Sequence, residues 1–162
     1  MDRIDRLLAQ WVQERPDLDA SPMGILGRLM IINRHVESRF EKSLKPYGLN
    51  LAEFDALAVL RRCGAPFKQS IGVLCEHSLI SSGAMTNRVD RLEKKNLVRR
   101  ERNPEDRRGV IVALTDDGFH LVDSLIEKRL DEAQNCLGPI SHEEVLQLEN
   151  ILKKMFSVVE EK

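Results

Sequence analysis

Residues 81–115 read SSGAMTNRVDRLEKKNLVRRERNPEDRRGVIVALT, and the reading of this stretch decides the fold. Met85, Val89 and Leu92 recur at i, i+4 and i+7, the apolar stripe of an amphipathic helix. Ser81 or Ser82 supplies a hydroxyl to cap the first turn. Asn96 follows the last turn, where a left-handed residue often closes a helix. Leu97 and Val98 then begin a strand, and Gly109–Leu114, rich in β-branched residues, forms its partner. Between them Asn103-Pro104-Glu105-Asp106 is a turn signal, because Pro fixes φ while Asn and Asp tolerate turn geometry. A helix, a strand, a basic turn and a second strand in that order predict a winged helix-turn-helix.

The outward surface of the predicted helix has the chemistry of a DNA reader. Gly83, Asn87, Asp90, Arg91 and Lys94 lie opposite the apolar stripe, Thr86 lies to one side and Arg88 on the other flank. Small residues at the N-terminal end, Ser82 and Gly83, permit close approach to a groove. Thr86 and Asn87 suit base edges, and Arg91 and Lys94 suit phosphates. Arg107 and Arg108 fall at the hairpin tip, where a guanidinium can enter the narrow minor groove, and Asp106 is placed to hold it by a charge-assisted contact. The whole chain is nearly neutral, at −1. Residues 88–108, however, carry nine Lys/Arg against five Asp/Glu, so a local basic patch sits on an acidic body. These features make double-stranded DNA the expected partner.

At 162 residues and 42% hydrophobic content the chain can bury one full core, not two. Aromatic residues are only 4%, so the core must be mostly aliphatic. No run approaches the length of a membrane span and no apolar leader is present, which makes a cytoplasmic protein the expectation. Cys63, Cys75 and Cys136 are odd in number and lack metal-ligand spacing, which points to a reducing compartment. His35, His77, His120 and His142 are scattered, and no nucleophile motif is present. No enzyme activity, metal or cofactor is therefore expected.

Outside the central stretch the pattern is helical. Ile4, Leu7, Leu8, Trp11 and Val12 mark a short amphipathic helix ended by Pro16. Ser21-Pro22 reads as a capping hydroxyl with Pro at the first helical position, opening a helix that runs to Leu44. Asn50 to Glu53 resembles a capping box ahead of Phe54, Leu57 and Ala58. Ile71, Leu74, Cys75 and Leu79 mark the support helix before the reader. Thr115 caps a long helix with Asp116 and Asp117 at its positive end, and Ser141-x-x-Glu144 opens a last one. The expected fold is mainly α: a winged helix-turn-helix of six or seven helices with a two-stranded β-wing. It forms one domain over 1–162. Residues 1–45 supply N-terminal helices for dimerisation and a ligand cleft, 50–115 the DNA-binding region, and 116–162 C-terminal dimerisation helices. The terminal helices are too apolar for tails, and pairing across a two-fold axis would set two readers on a palindromic operator.

The order of elements and the run DRLEKKNLVRRERNPEDRRGVIVALTDDG resemble the MarR family of bacterial transcription regulators. Asp90-Arg91-Leu92-Glu93, Leu97-Val98, Asp106-x-Arg108 and Leu114-Thr115-x-x-Gly118 fall at family spacing; Asn96 stands where the family usually has Gly. Trp11 in an added helix, Glu14-Arg15-Pro16-Asp17-Leu18-Asp19, Pro22-Met23 and Glu53-Phe54-Asp55-Ala56-Leu57 are similar to the urate-responsive, PecS-like branch. That resemblance implies a dimeric repressor released by urate or a related purine, with Trp11, Asp55, Arg88 and Arg100 as the ligand site. An indole offers a stacking face and a guanidinium planar paired donors to such a flat anion. The competing expectations are a response to small phenolic compounds or to oxidants through cysteine, as in other members of the family. Arg61 and Arg62 would lower the pKa of Cys63, while its helix C-terminal position opposes that.

Overall fold

The computed structural model describes residues 1–78, 81–103 and 109–160. Within them the chain forms helices α1 (Arg3–Glu14), α2 (Ser21–Leu44), α3 (Leu51–Arg62), α4 (Ile71–Ser78), α5 (Ser82–Lys94), α6 (Asp116–Leu137) and α7 (His142–Glu160). A 3-10 turn at Lys45–Tyr47 follows α2, and the strands are β1 (Lys68–Ser70), β2 (Val98–Arg102) and β3 (Val110–Leu114). The sheet has three strands, in the order β1-β3-β2, all antiparallel. The expected two-stranded wing is therefore incomplete. Lys68–Ser70 adds a strand by pairing with β3, Lys68 opposite Ala113 and Ser70 opposite Ile111.

Local chemistry accounts for most helix ends. Asn50 accepts from the Glu53 amide at 2.9 Å and Glu53 reaches back to the Asn50 amide, a reciprocal capping box. Thr115 caps α6 by accepting from the Gly118 amide at 3.0 Å, and Ser81 caps α5. The box at Ser141 and Glu144 forms as expected. Asn96 adopts φ 57°, the left-handed close foreseen for α5. Ser21 differs from its expected capping role. It is the first helical residue of α2, and Asp19 accepts its amide at 2.9 Å. Asp2, unremarked in the sequence, caps α1 by accepting from Ile4 and Asp5.

The core joins α2, α3, α4, α5, α6 and the sheet through Phe40, Leu44, Leu57, Leu60, Leu74, Met85, Leu92, Val112 and Leu125. It is aliphatic with one edge-on ring pair, Phe40 and Phe54, centroids 4.7 Å apart. Arg61 ties α3 to α6. Its Nε donates to Asp123 at 2.6 Å, and its guanidinium lies 4.6 Å from the Phe119 ring centroid and 5.1 Å from that of Phe67. Helix α1 seats on α2 through small residues: Leu8 packs at Gly24 and Ile4 at Gly27. Arg28 bonds both Asp2 and Asp5 beside them.

By contrast α7 buries none of its residues. Val145, Leu148, Leu152, Met155 and Phe156 on α7, with Leu137, line an open apolar cavity of about 920 Å³. Leu7 and Val12 on α1 and Ile25, Leu26 and Met30 on α2 are also exposed.

Candidate nucleic-acid interface and adjoining cavity

Helix α5 presents two chemically different faces. Met85, Val89 and Leu92 are buried, as their spacing requires. Ser82, Gly83, Asn87, Arg91 and Lys94 are exposed on the opposite side. Thr86 is half-buried and its hydroxyl donates to the Ser82 carbonyl at 2.9 Å. Asp90 departs from the outward reading, since its carboxylate bonds Arg100. Arg91 is half committed: its Nε donates to Glu53 at 2.7 Å while half of its side chain stays exposed. The expected wing-tip contacts Asp106, Arg107 and Arg108, like Leu79 on the support helix, lie outside the described residues.

Glu53 clamps the reading helix α5 to α3. Its side chain is 2% exposed, and it takes Lys95 Nζ at 2.8 Å as well as Arg91. Burial alone would raise its pKa, but Lys95 and Arg91 outweigh that and hold the carboxyl below its ordinary value. One buried carboxylate thus fixes the C-terminal turn of α5 against the N-terminus of α3.

On the flank of α5, Arg88 turns inward to a cavity of about 280 Å³ lined by Asp55, Ala58, Val59 and Arg62 of α3, His77 and Ser78 of α4, and Arg88. Asp55 faces this space without an ion-pair partner among the described residues. Although the residue remains exposed, partial desolvation on the cavity side holds its carboxyl above its ordinary value, against the opposing pull of Arg88, Arg129 and Arg62. Arg129, on α6, stacks 4.9 Å from the Phe40 ring centroid and has a buried Nη1 with no hydrogen-bond partner among the described residues.

Of the four residues expected to hold a ligand, Asp55 and Arg88 come together here. Arg100 and Trp11 do not line the cavity. Arg100 is held by Asp90 and Glu93, an arrangement that clips β2 to α5. Trp11 lies on α1 with 43% of its surface exposed. Arg62, His77 and Ser78 were missed as lining residues, because a cavity wall made from three helices has no signature in local spacing. Cys63 and Cys75 are half-buried against the core and Cys136 is exposed.

A three-helix reader with an exposed small-polar-to-basic face, backed by a β-sheet wing, defines a winged helix-turn-helix DNA-binding protein. The MarR family profile matches residues 47–109. The chain is 36% identical over 152 residues to the HTH-type transcriptional regulator PecS of Dickeya dadantii (strain 3937), covering 94% of this chain and 92% of that one. It is similar in structure to a mutant MarR from E. coli complexed with operator DNA, with a TM-score of 0.67 and 30% identity over 90% of this chain and 96% of that one. AbsC, a MarR family transcriptional regulator from Streptomyces coelicolor, has the same fold, with a TM-score of 0.78 at 22% identity over 90% of this chain and 98% of that one. The chain belongs to the MarR family; it is a DNA-binding transcriptional regulator and not an enzyme. No helix among the described residues is long and apolar enough to cross a membrane.

Proposed function

We propose that this regulator is a homodimeric repressor that binds a palindromic operator and is released from it by urate or a related purine. The observation that carries the reading is the position of Arg88: it sits on the reading helix, yet lines a cavity facing Asp55 of α3. An arriving planar anion competes with Asp55 for the Arg88 guanidinium, which suits two parallel acceptors. Moving Arg88 moves α5, and with it the face that carries Asn87 and Lys94. The ligand shifts the equilibrium only by its preference for the conformation that does not fit DNA.

Dimerisation supplies the second half of the mechanism. The exposed apolar side chains of α7 and of α1–α2 are what a second copy would bury. A two-fold axis through them would place two reading helices roughly 34–36 Å apart, one turn of DNA. In that arrangement a small tilt of each α5 spoils the half-site spacing. Trp11 and Arg100 belong to the same reading. Trp11 offers a stacking face on the added helix, and Arg100 is a cation one strand away, freed if Asp90 and Glu93 release it.

The experiment is a gel shift on the DNA upstream of the regulator's own gene, titrated separately with urate, xanthine, salicylate and peroxide. Release by urate at concentrations that leave the salicylate and peroxide lanes bound is the expected result. Release by peroxide alone would move the switch to a cysteine, and release by salicylate alone would move the ligand to the phenolic class.

A further inference from the structure

We infer that Arg62, His77 and Ser78 complete the ligand site, so that a compact anion is gripped by two guanidiniums and bordered on one side by α4. This rests on the cavity being the effector site; it adds residues and a wall that the four-residue set does not contain.

The pairing of the arginines carries the argument. Arg28, Arg39, Arg61, Arg91, Arg99 and Arg100 each hold a carboxylate within ion-pair distance. Arg62 and Arg88, like Arg3, Arg6, Arg34, Arg102 and Arg129, have no such partner among the described residues; what sets these two apart is that both line the same cavity. Asp55 is the one carboxylate in that lining, set against two guanidiniums and the His77 imidazole. A site with two guanidiniums to one carboxylate favours a negative ligand. Ser78 adds a second, independent sign. Its hydroxyl oxygen is buried and has no hydrogen-bond partner among the described residues, a costly state that a ligand able to hydrogen-bond it would relieve.

The geometry also says what kind of anion fits. Arg62 ends α3 and Arg88 lies mid-helix on α5, so the two forks approach from different elements and suit acceptors on two edges of one flat molecule. Ser78 Oγ can donate or accept, and so selects for a further polar edge over a bare hydrocarbon. An oxidised purine monoanion carries acceptors and N–H donors around its rim; a simple benzoate does not. Because Ser78 is the last residue of α4, the ligand would touch all three helices of the reading unit at once.

The test is isothermal titration calorimetry on the full chain without DNA, using urate, xanthine and salicylate as probes, for the wild type, Arg62→Gln, Arg62→Lys and Ser78→Ala. Circular dichroism melts check that each variant folds. The expected result is a loss of urate affinity of roughly tenfold or more for Arg62→Gln and about fivefold for Ser78→Ala, with partial recovery in Arg62→Lys. Folded Arg62→Gln and Ser78→Ala variants that bind as the wild type does would overturn this inference while leaving the urate reading intact. If the wild type binds xanthine or salicylate but not urate, and the variants lose that binding, the urate reading fails and the completed site stands. A wild type that binds none of the three overturns both.

Discussion

Two residues show how narrowly the reading helix is fixed. Gly118 opens the first turn of α6 against the segment leaving α5; a Cβ built there would lie 1.9 Å from the Leu97 carbonyl oxygen. The same carbonyl accepts the Thr115 amide at 3.1 Å, and the Thr115 hydroxyl donates to the Asn96 carbonyl at 2.6 Å. Nothing there can give without breaking the junction, so Gly118→Ala should cost about 3 kcal/mol or more in urea unfolding; a loss under about 1 kcal/mol would contradict the packing described. Glu53 makes a different prediction. Its carboxyl is held below the ordinary value of 4.5 by Lys95 and Arg91 despite burial. Its contribution is therefore fully present above about pH 4.5 and is lost as pH falls from there through the lower folded-state value. Glu53→Gln should be less stable than the wild type at pH 7, by about 1–3 kcal/mol, with the gap closing on acidification. A gap that stays constant from pH 7 to pH 3 would rule this out.

At the scale of elements, the proposed mechanism makes α5 both reader and switch, with the two jobs separable by face. Asn87→Ala, on the exposed face, should relax base preference at one position of each half-site while leaving ligand response intact, as measured by binding to a panel of single-base operator variants. Equal losses on all variants would make Asn87 a backbone contact instead. The exposed face of α5 was legible in the sequence, Asp90 apart, because a helix's faces follow from its period. So were the caps at Asn50, Thr115 and Ser141 and the left-handed Asn96, which are decided within four residues. The third strand was not legible: Lys68-Gln69-Ser70 has no apolar alternation, and it becomes a strand only because β3 offers a free edge. The cavity was half legible. Asp55 and Arg88 came through family resemblance, whereas His77 looked like a scattered surface residue. It takes the packing of α4 against α3 and α5 to bring Arg62, His77 and Ser78 together. That same packing leaves Arg100 clipped to Asp90 and Glu93, competition from nearer carboxylates that spacing did not reveal.

The whole molecule divides into a well-packed reading unit and outer helices, α7 together with the exposed sides of α1 and α2, whose remaining apolar faces meet no partner among the described residues. Leaving Leu152 and Phe156 on α7 in water would be costly, and a second copy is the occupant the proposed mechanism requires. Phe156→Glu should shift the chain from dimer to monomer in sedimentation equilibrium at micromolar concentration and weaken operator binding sharply, since one half-site carries only part of the contact energy. A dimer of undiminished stability would put the interface elsewhere. The central claim, that an anion acts on DNA through the cavity behind α5, is tested most directly with Asp55→Asn. Asp55 is on α3, off the reading face, and its change removes the carboxylate whose contest with a bound anion for Arg88 passes the signal from the cavity to α5. In fluorescence anisotropy with operator DNA, the account predicts affinity within about threefold of the wild type in the absence of ligand, and a urate-driven release reduced at least about tenfold. Release of Asp55→Asn by urate at the wild-type concentration would contradict it.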